Sequence, residues 1–147
     1  MTQLSDIQFD KIGIRRDHED GWYEGHFVGY EFGEYRRAGE GEVADLDLLF
    51  HAETPLGDMN MEHVNTDRRL RKRVGVWKDS DNVLIYEALS KIDPDVAVPG
   101  TSGGASLLSI LDSLVSKPVK VRVGPDPYTL KKKNVRFPVI VNVEPLA

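Results

Sequence analysis

The sequence predicts a mainly β domain with a helical insertion, and three observations carry that prediction. Strand patterns fill the region from Tyr23 to Trp77, helical spacing governs Val83 to Ser116, and two further strand patterns close the chain. At 147 residues and 40% apolar content there is enough chain for one domain with its own core.

Residues 1–20 are polar and mixed and read as a lead-in, and residues 21–147 read as a single domain. The first strand runs from about Tyr23 to Tyr35. His26, Val28, Tyr30 and Phe32 share one face, and Phe27, Gly29 and Glu31 share the other. Gly29 within this run signals a bend or bulge. Arg36 to Gly41, with two glycines, reads as a turn. The next strand is Val43 to Ala52, with Leu46, Leu48 and Phe50 pointing one way and Asp45, Asp47 and Leu49 the other. Glu53 to Asn60 holds Pro55 and Gly57 and reads as a loop. A third strand falls within Met61 to Trp77.

Val83 to Ile92 fits a short helix through Ile85, Leu89 and Ile92, and Asp93-Pro94 ends it. A Gly- and Pro-rich loop, Val98 to Gly104, leads to the clearest helix, Ala105 to Ser116. Its stripe is Leu107, Ile110, Leu111, Leu114 and Val115. Lys117-Pro118 stops it. Val119, Val121 and Val123 then alternate with Lys120 and Arg122, as in a half-buried strand. After the turn Gly124-Pro125-Asp126-Pro127, the closing strand runs from Val135 to Val143. Val135, Phe137, Val139, Val141 and Val143 share a face, and Pro138 on the other marks an edge or a bulge. Three strands, a helical insertion between strands three and four, and two more strands is the order of a five-stranded Greek-key barrel, the OB-fold. A β-sandwich is the alternative. A parallel α/β sheet is disfavoured because most strands follow one another without a crossover helix.

Composition narrows function. The chain has no cysteine, which removes disulfides, thiolate metal sites and cysteine nucleophiles and suits a cytoplasmic protein. No apolar run approaches the ~20 residues of a membrane-spanning helix, and Met1 to Asp10 lacks the basic-then-apolar pattern of a signal peptide. No membrane partner is expected. The net charge of −5 divides unevenly: residues 1–62 carry −10 and residues 63–147 carry +5. Either the basic part faces an anion or the two parts neutralise each other in the fold.

The densest charge is Arg68, Arg69, Arg71, Lys72 and Arg73, broken only by Leu70. Guanidinium groups pair with phosphate and stack on bases, so such a run suits a single-stranded nucleic acid. A solvated patch is the plain alternative. A second cluster, Lys131, Lys132, Lys133 and Arg136, lies between the last two strands, where the barrel's loop flanks the nucleic-acid groove. Among the aromatics, Tyr30 and Phe32 are expected in the core. Tyr35, Trp77 and Tyr128 fall at strand ends and are the stacking candidates.

Two catalytic arrangements fail on inspection. Gly100-Thr101-Ser102-Gly103-Gly104 matches G-x-S-x-G ahead of a helix, but no histidine follows His63 to complete a triad. Asp45, Asp47, His51 and Glu53 lie along one extended strand, with Asp45 and His51 about 20 Å apart, too far for one metal site. No catalytic residue, no metal ligand and no cofactor is expected.

The chain resembles the phage-encoded single-stranded-DNA-binding proteins with an OB-fold. The resemblance rests on Gly25-His26-Phe27-Val28 with the following aromatics, on Leu46-Asp47-Leu48-Leu49-Phe50, and on Leu111 to Val123, where a leucine-rich helix, a Lys-containing turn and a Val-rich strand follow one another. Lys131-Lys132-Lys133-Asn134-Val135 in the terminal hairpin also fits. It implies sequence-independent binding of single-stranded DNA during phage replication or recombination, in the host cytoplasm, with replication or recombination proteins as further partners. It carries over Trp77, Tyr128 and the basic residues above. Many such proteins end in an acidic tail that recruits partners, whereas this chain ends Glu144-Pro145-Leu146-Ala147. A virion structural protein, or an interaction or inhibitor protein using its acidic first part, is the alternative expectation.

Overall fold

The computed structural model describes residues 17–62, 64–79, 83–96, 107–126 and 138–146. Its elements are β1 (Gly21–Phe32), β2 (Arg36–Ala38), β3 (Gly41–Pro55), β4 (Leu70–Trp77), α1 (Val83–Ser90), α2 (Leu107–Leu114), β5 (Pro118–Pro125) and β6 (Pro138–Pro145). The fold is mainly β, with two short helices between β4 and β5, as the patterning predicts.

All pairings in the sheet are antiparallel. The order β2-β3-β1-β5-β6 is extended by β4, which pairs with β3. β1 and β2 lie end to end along one edge of β3, bridged by Gly33 N–H donating to Asp45 O at 2.8 Å. β4 takes the opposite edge of β3. Four antiparallel steps separate β4 from β6, so the two run parallel. They come into contact, but no ladder joins them among the described residues, and the sheet is open at that seam.

The stretch read as a turn is in fact a tight hairpin. Arg36–Ala38 pairs with β3, and only Gly39 and Glu40 turn. Gly39 has φ +63°, which a two-residue hairpin loop with glycine first requires.

The core lies on the concave side. Leu46, Leu48 and Phe50 of β3 and Val119, Val121 and Val123 of β5 are all buried, as their alternation predicts. α1 adds Ile85 and Leu89, and α2 adds Ile110, Leu111 and Leu114. Val115, assigned to the α2 stripe by spacing, is exposed, because the helix stops at Leu114. Ser116, at φ +77°, turns the chain, and its N–H donates to Phe27 O at 2.8 Å.

Three register shifts interrupt the described ladders: one leaves Glu53 of β3 extra, and the other two alter the alternation of β1 and β6. In β1, Phe27 pairs with Phe50 and Gly29 with Leu49, which leaves Val28 as an extra residue. The bulge expected at Gly29 is therefore present, and it reverses the parity. Tyr23 and Phe27 are fully buried before it, and Tyr30 packs on the core after it. Phe32, expected in the core, is 47% exposed because it sits at the strand's end. In β6, Arg122 pairs with Asn142 and Val123 with Ile140, so Val141 is extra. Ile140 and Val143 are buried as a result and Val141 is exposed, which corrects the single valine face.

The described end of the lead-in is packed against the sheet. His18 is fully buried, accepts the edge of Tyr23 at 5.3 Å, and donates from Nε2 to Ala52 O at 2.7 Å.

Candidate functional site

β3 sits between β1 and β4, and on the face away from the core the three strands present their charged positions side by side. Glu31 pairs with Asp47, Asp47 with Arg73 and Leu49 with Arg71. Residues directly opposite in an antiparallel ladder project to the same face. This face therefore carries Glu31 from β1, Asp45, Asp47 and Leu49 from β3, and Arg71, Arg73, Gly75 and Trp77 from β4.

A cleft of about 450 Å³ opens on it. Leu49, Pro138 and Val139 provide its apolar surface. Arg68, Arg69, Arg71, Glu31, Asp47 and Asp126 provide its charges. Asp126 directly follows β5 and Pro138 begins β6, so the cleft lies at the base of the β5–β6 connection, beside the seam.

Most of these charges are matched. Arg73 grips Asp47 through Nε–Oδ1 at 2.8 Å and Nη2–Oδ2 at 3.2 Å, and its Nη1 lies 3.7 Å from Asp45. The hydrogen bond to Asp47 is the main reason the Arg73 pKa is raised, and nearby Asp45 and Asp126 add to it. Arg71 Nη2 is 3.7 Å from Asp126, which is nearly buried. Arg68 pairs with Asp17, and Arg36 lies 3.3 Å from Asp45. Of these pairs, Arg73 with Asp45 and Asp47 joins the acidic and basic parts of the sequence across the β3–β4 ladder, and Arg68 with Asp17 joins them outside it. Glu31 and Arg69 are the exceptions. Both are exposed, both line the cleft, and neither has an ionic or hydrogen-bonded side-chain partner among the described residues.

The basic run does not act as one patch. Strand alternation sends Arg69, Arg71 and Arg73 to the cleft face and Lys72 to the other side, opposite the buried Leu48. There Lys72 is half-buried, and burial, assisted by the charge of Lys91, lowers its pKa. Lys72 is therefore separated from the arginines it adjoins in sequence.

Trp77 projects on the cleft face but at the far end of β4, about 20 Å along the strand from Arg71. Its ring lies against Gly41, where a Cβ would come within 3.2 Å of it, and the residue is 43% exposed. Tyr35, in the β1–β2 link, is also exposed. It meets Phe32 edge-on at 5.9 Å and carries Lys78 Nζ 5.8 Å from its ring centre. Trp77 and Tyr35 thus belong to the end of the sheet remote from the cleft. Tyr128, Lys131, Lys132, Lys133 and Arg136 lie outside the described residues.

Sequence reasoning did not select Glu31, Asp47, Leu49, Asp126, Pro138 or Val139 as site residues. The alternation of β3 already put Asp47 and Leu49 on one face. No local signal brought Asp126 and Pro138 to them, because that meeting depends on how the sheet curls.

No group of three or more His, Asp or Glu among the described residues is arranged to hold a metal ion. His26 instead bonds Glu53 through Nδ1 and meets His51 edge-on at 5.2 Å. No described helix is long and apolar enough to cross a membrane. Neither a known protein family nor a curated protein matches this chain.

Proposed function

We propose that the protein is a non-enzymatic single-stranded-DNA-binding protein built on an OB-fold barrel. The strand order β4-β3-β1-β5-β6, with parallel β4 and β6 in contact at the seam, supports that architecture. β1, β3, β4, β5 and β6 correspond to the five barrel strands, and β2 is a short addition in line with β1.

One observation carries the functional reading. The cleft with Arg68, Arg69 and Arg71 opens on the β3–β4 face at the base of the β5–β6 connection. In such barrels the face of strands two and three, with the loop between strands four and five, is where oligonucleotides bind. Arginine there offers phosphate pairing and base stacking together. Exposed Trp77 and Tyr35 offer two further rings, each worth roughly 1–3 kcal/mol per stacked base. The acidic neighbours hold the arginines in place and lower the net attraction for phosphate, so affinity depends on the bases as well as the backbone.

Titration of a labelled single strand of about 30 nucleotides, at two salt concentrations, tests this. The expected result is binding at low salt, with log K falling linearly against log salt by about 0.7 per phosphate engaged. Absence of binding at low salt overturns the reading. A protein partner meeting a charge-paired face would then be the better account.

A further inference from the structure

The ionic groups of the cleft fall into two sets. Asp47, Asp126, Arg68 and Arg71 are each tied to another charged side chain. Glu31 and Arg69 have no such partner among the described residues, and they stand on opposite sides of β3, the one on β1 and the other at the entry to β4, with Leu49 of β3 between them. A free carboxylate in a nucleic-acid cleft repels phosphate. A free guanidinium across from it attracts acceptors. An apolar floor accepts a flat ring. The combination suits a base rather than the backbone.

We infer that this pair reads guanine, an inference that rests on the single-strand reading above. Guanine carries two adjacent donors, N1–H and N2–H, which match the two oxygens of a carboxylate. On another edge it carries two adjacent acceptors, O6 and N7, which match a guanidinium fork. Thymine has a single donor, N3–H, set between two carbonyl oxygens that a carboxylate repels. Cytosine offers one amino group to the carboxylate. Adenine also has one, and its N7 stands beside that amino donor instead of a second acceptor. Only guanine meets both side chains with two bonds each. The volume of about 450 Å³ falls in the range of sites that enclose small ligands.

The test compares the full chain's affinity for a thymine homopolymer of about 12 nucleotides, a length within the site sizes of such barrels, with the same strand carrying one central deoxyguanosine. A third strand carries deoxyinosine, which lacks the N2 amino group. At equal salt the single guanine is expected to tighten binding by about tenfold, the low end of a good two-bond base contact, and inosine to recover only part of the gain. In Glu31→Ala and Arg69→Ala the difference between the guanine and thymine strands is expected to vanish. Both sites are exposed, and circular dichroism verifies that the variants fold. Equal affinity for the guanine and thymine strands, or a guanine gain that survives Glu31→Ala, overturns the base reading and leaves single-strand binding standing. Failure to bind any of the strands overturns both.

Discussion

Arg73 and Asp47 occupy directly paired positions of β4 and β3, and two hydrogen bonds, at 2.8 and 3.2 Å, join guanidinium to carboxylate in parallel. The pair explains how a strand that carries Arg71, Lys72 and Arg73, with Arg68 and Arg69 just before it, can lie beside an acidic strand. It also makes the pair a structural element of the cleft wall. Asp47 is nearly buried while the Arg73 side chain is half exposed.

Arg73→Lys keeps the charge and loses the two-pronged geometry. The expected cost is about 1 kcal/mol, because solvent screens the exposed half of the pair. Arg73→Ala should cost about 2 kcal/mol, since the sheltered Asp47 is left with weaker compensation. Urea unfolding of the two variants, with Asp47→Asn and the double mutant, measures the coupling. A coupling near zero would mean the bidentate pair contributes geometry without stability.

Arg71 and Lys72 are neighbours in sequence on opposite sides of the sheet, so they should differ in binding. Arg71→Gln is expected to weaken single-strand binding and to reduce the magnitude of the salt slope by about 0.7, one phosphate contact. Lys72→Gln should leave both unchanged. An equal loss in the two variants would contradict the strand alternation.

Ser116 holds φ +77° just past the end of α2, a conformation that L-residues with a Cβ disfavour. Ser116→Gly removes that penalty and retains the N–H that bonds Phe27 O. Stability should rise by about 0.5–1 kcal/mol, read as an increase in the urea midpoint with an unchanged slope.

His18 is buried, and its Nδ1 has no hydrogen-bond partner among the described residues. A second proton would have no acceptor there, and burial lowers the pKa, against the opposing hydrogen bond to Ala52 O. The unfolded chain titrates near the ordinary histidine value of about 6.5. Above that pH the site is neutral in both states and its contribution is complete. As pH falls below it, the unfolded state binds the proton first, and stability drops by up to about 1.4 kcal/mol per pH unit until the folded-state pKa is passed. His18→Gln should be less stable at neutral pH but flatter between about pH 6.5 and 5. Urea midpoints across that range decide it, and parallel wild-type and variant curves would refute the assignment.

Much of this was legible in the residues. Leu46, Leu48 and Phe50, and Val119, Val121 and Val123, lie in the core where a period of two places them, because the bulges opposite them put the extra residue in the partner strand. Ile110, Leu111 and Leu114 follow helical spacing for the same local reason. Val141 did not follow its pattern because it is the extra residue of a bulge, which leaves only a nearby glycine or proline as a trace. Phe32 is exposed because β1 ends there.

The sequence by itself determined five of the six strands and both helices, the parity of β3 and β5, and the presence of a basic run beside an acidic half. Tertiary structure alone decided which cations meet which carboxylates. Pairing β4 on β3 matched Arg73 to Asp47, curling β5 and β6 back brought Asp126 to Arg71, and Glu31 and Arg69 were left facing a common cleft. The physical reason is range. Side-chain periodicity is set by the backbone within a few residues, whereas a salt bridge requires charges within a few ångströms, and only the sheet brings residues 26 or 55 positions apart to that distance.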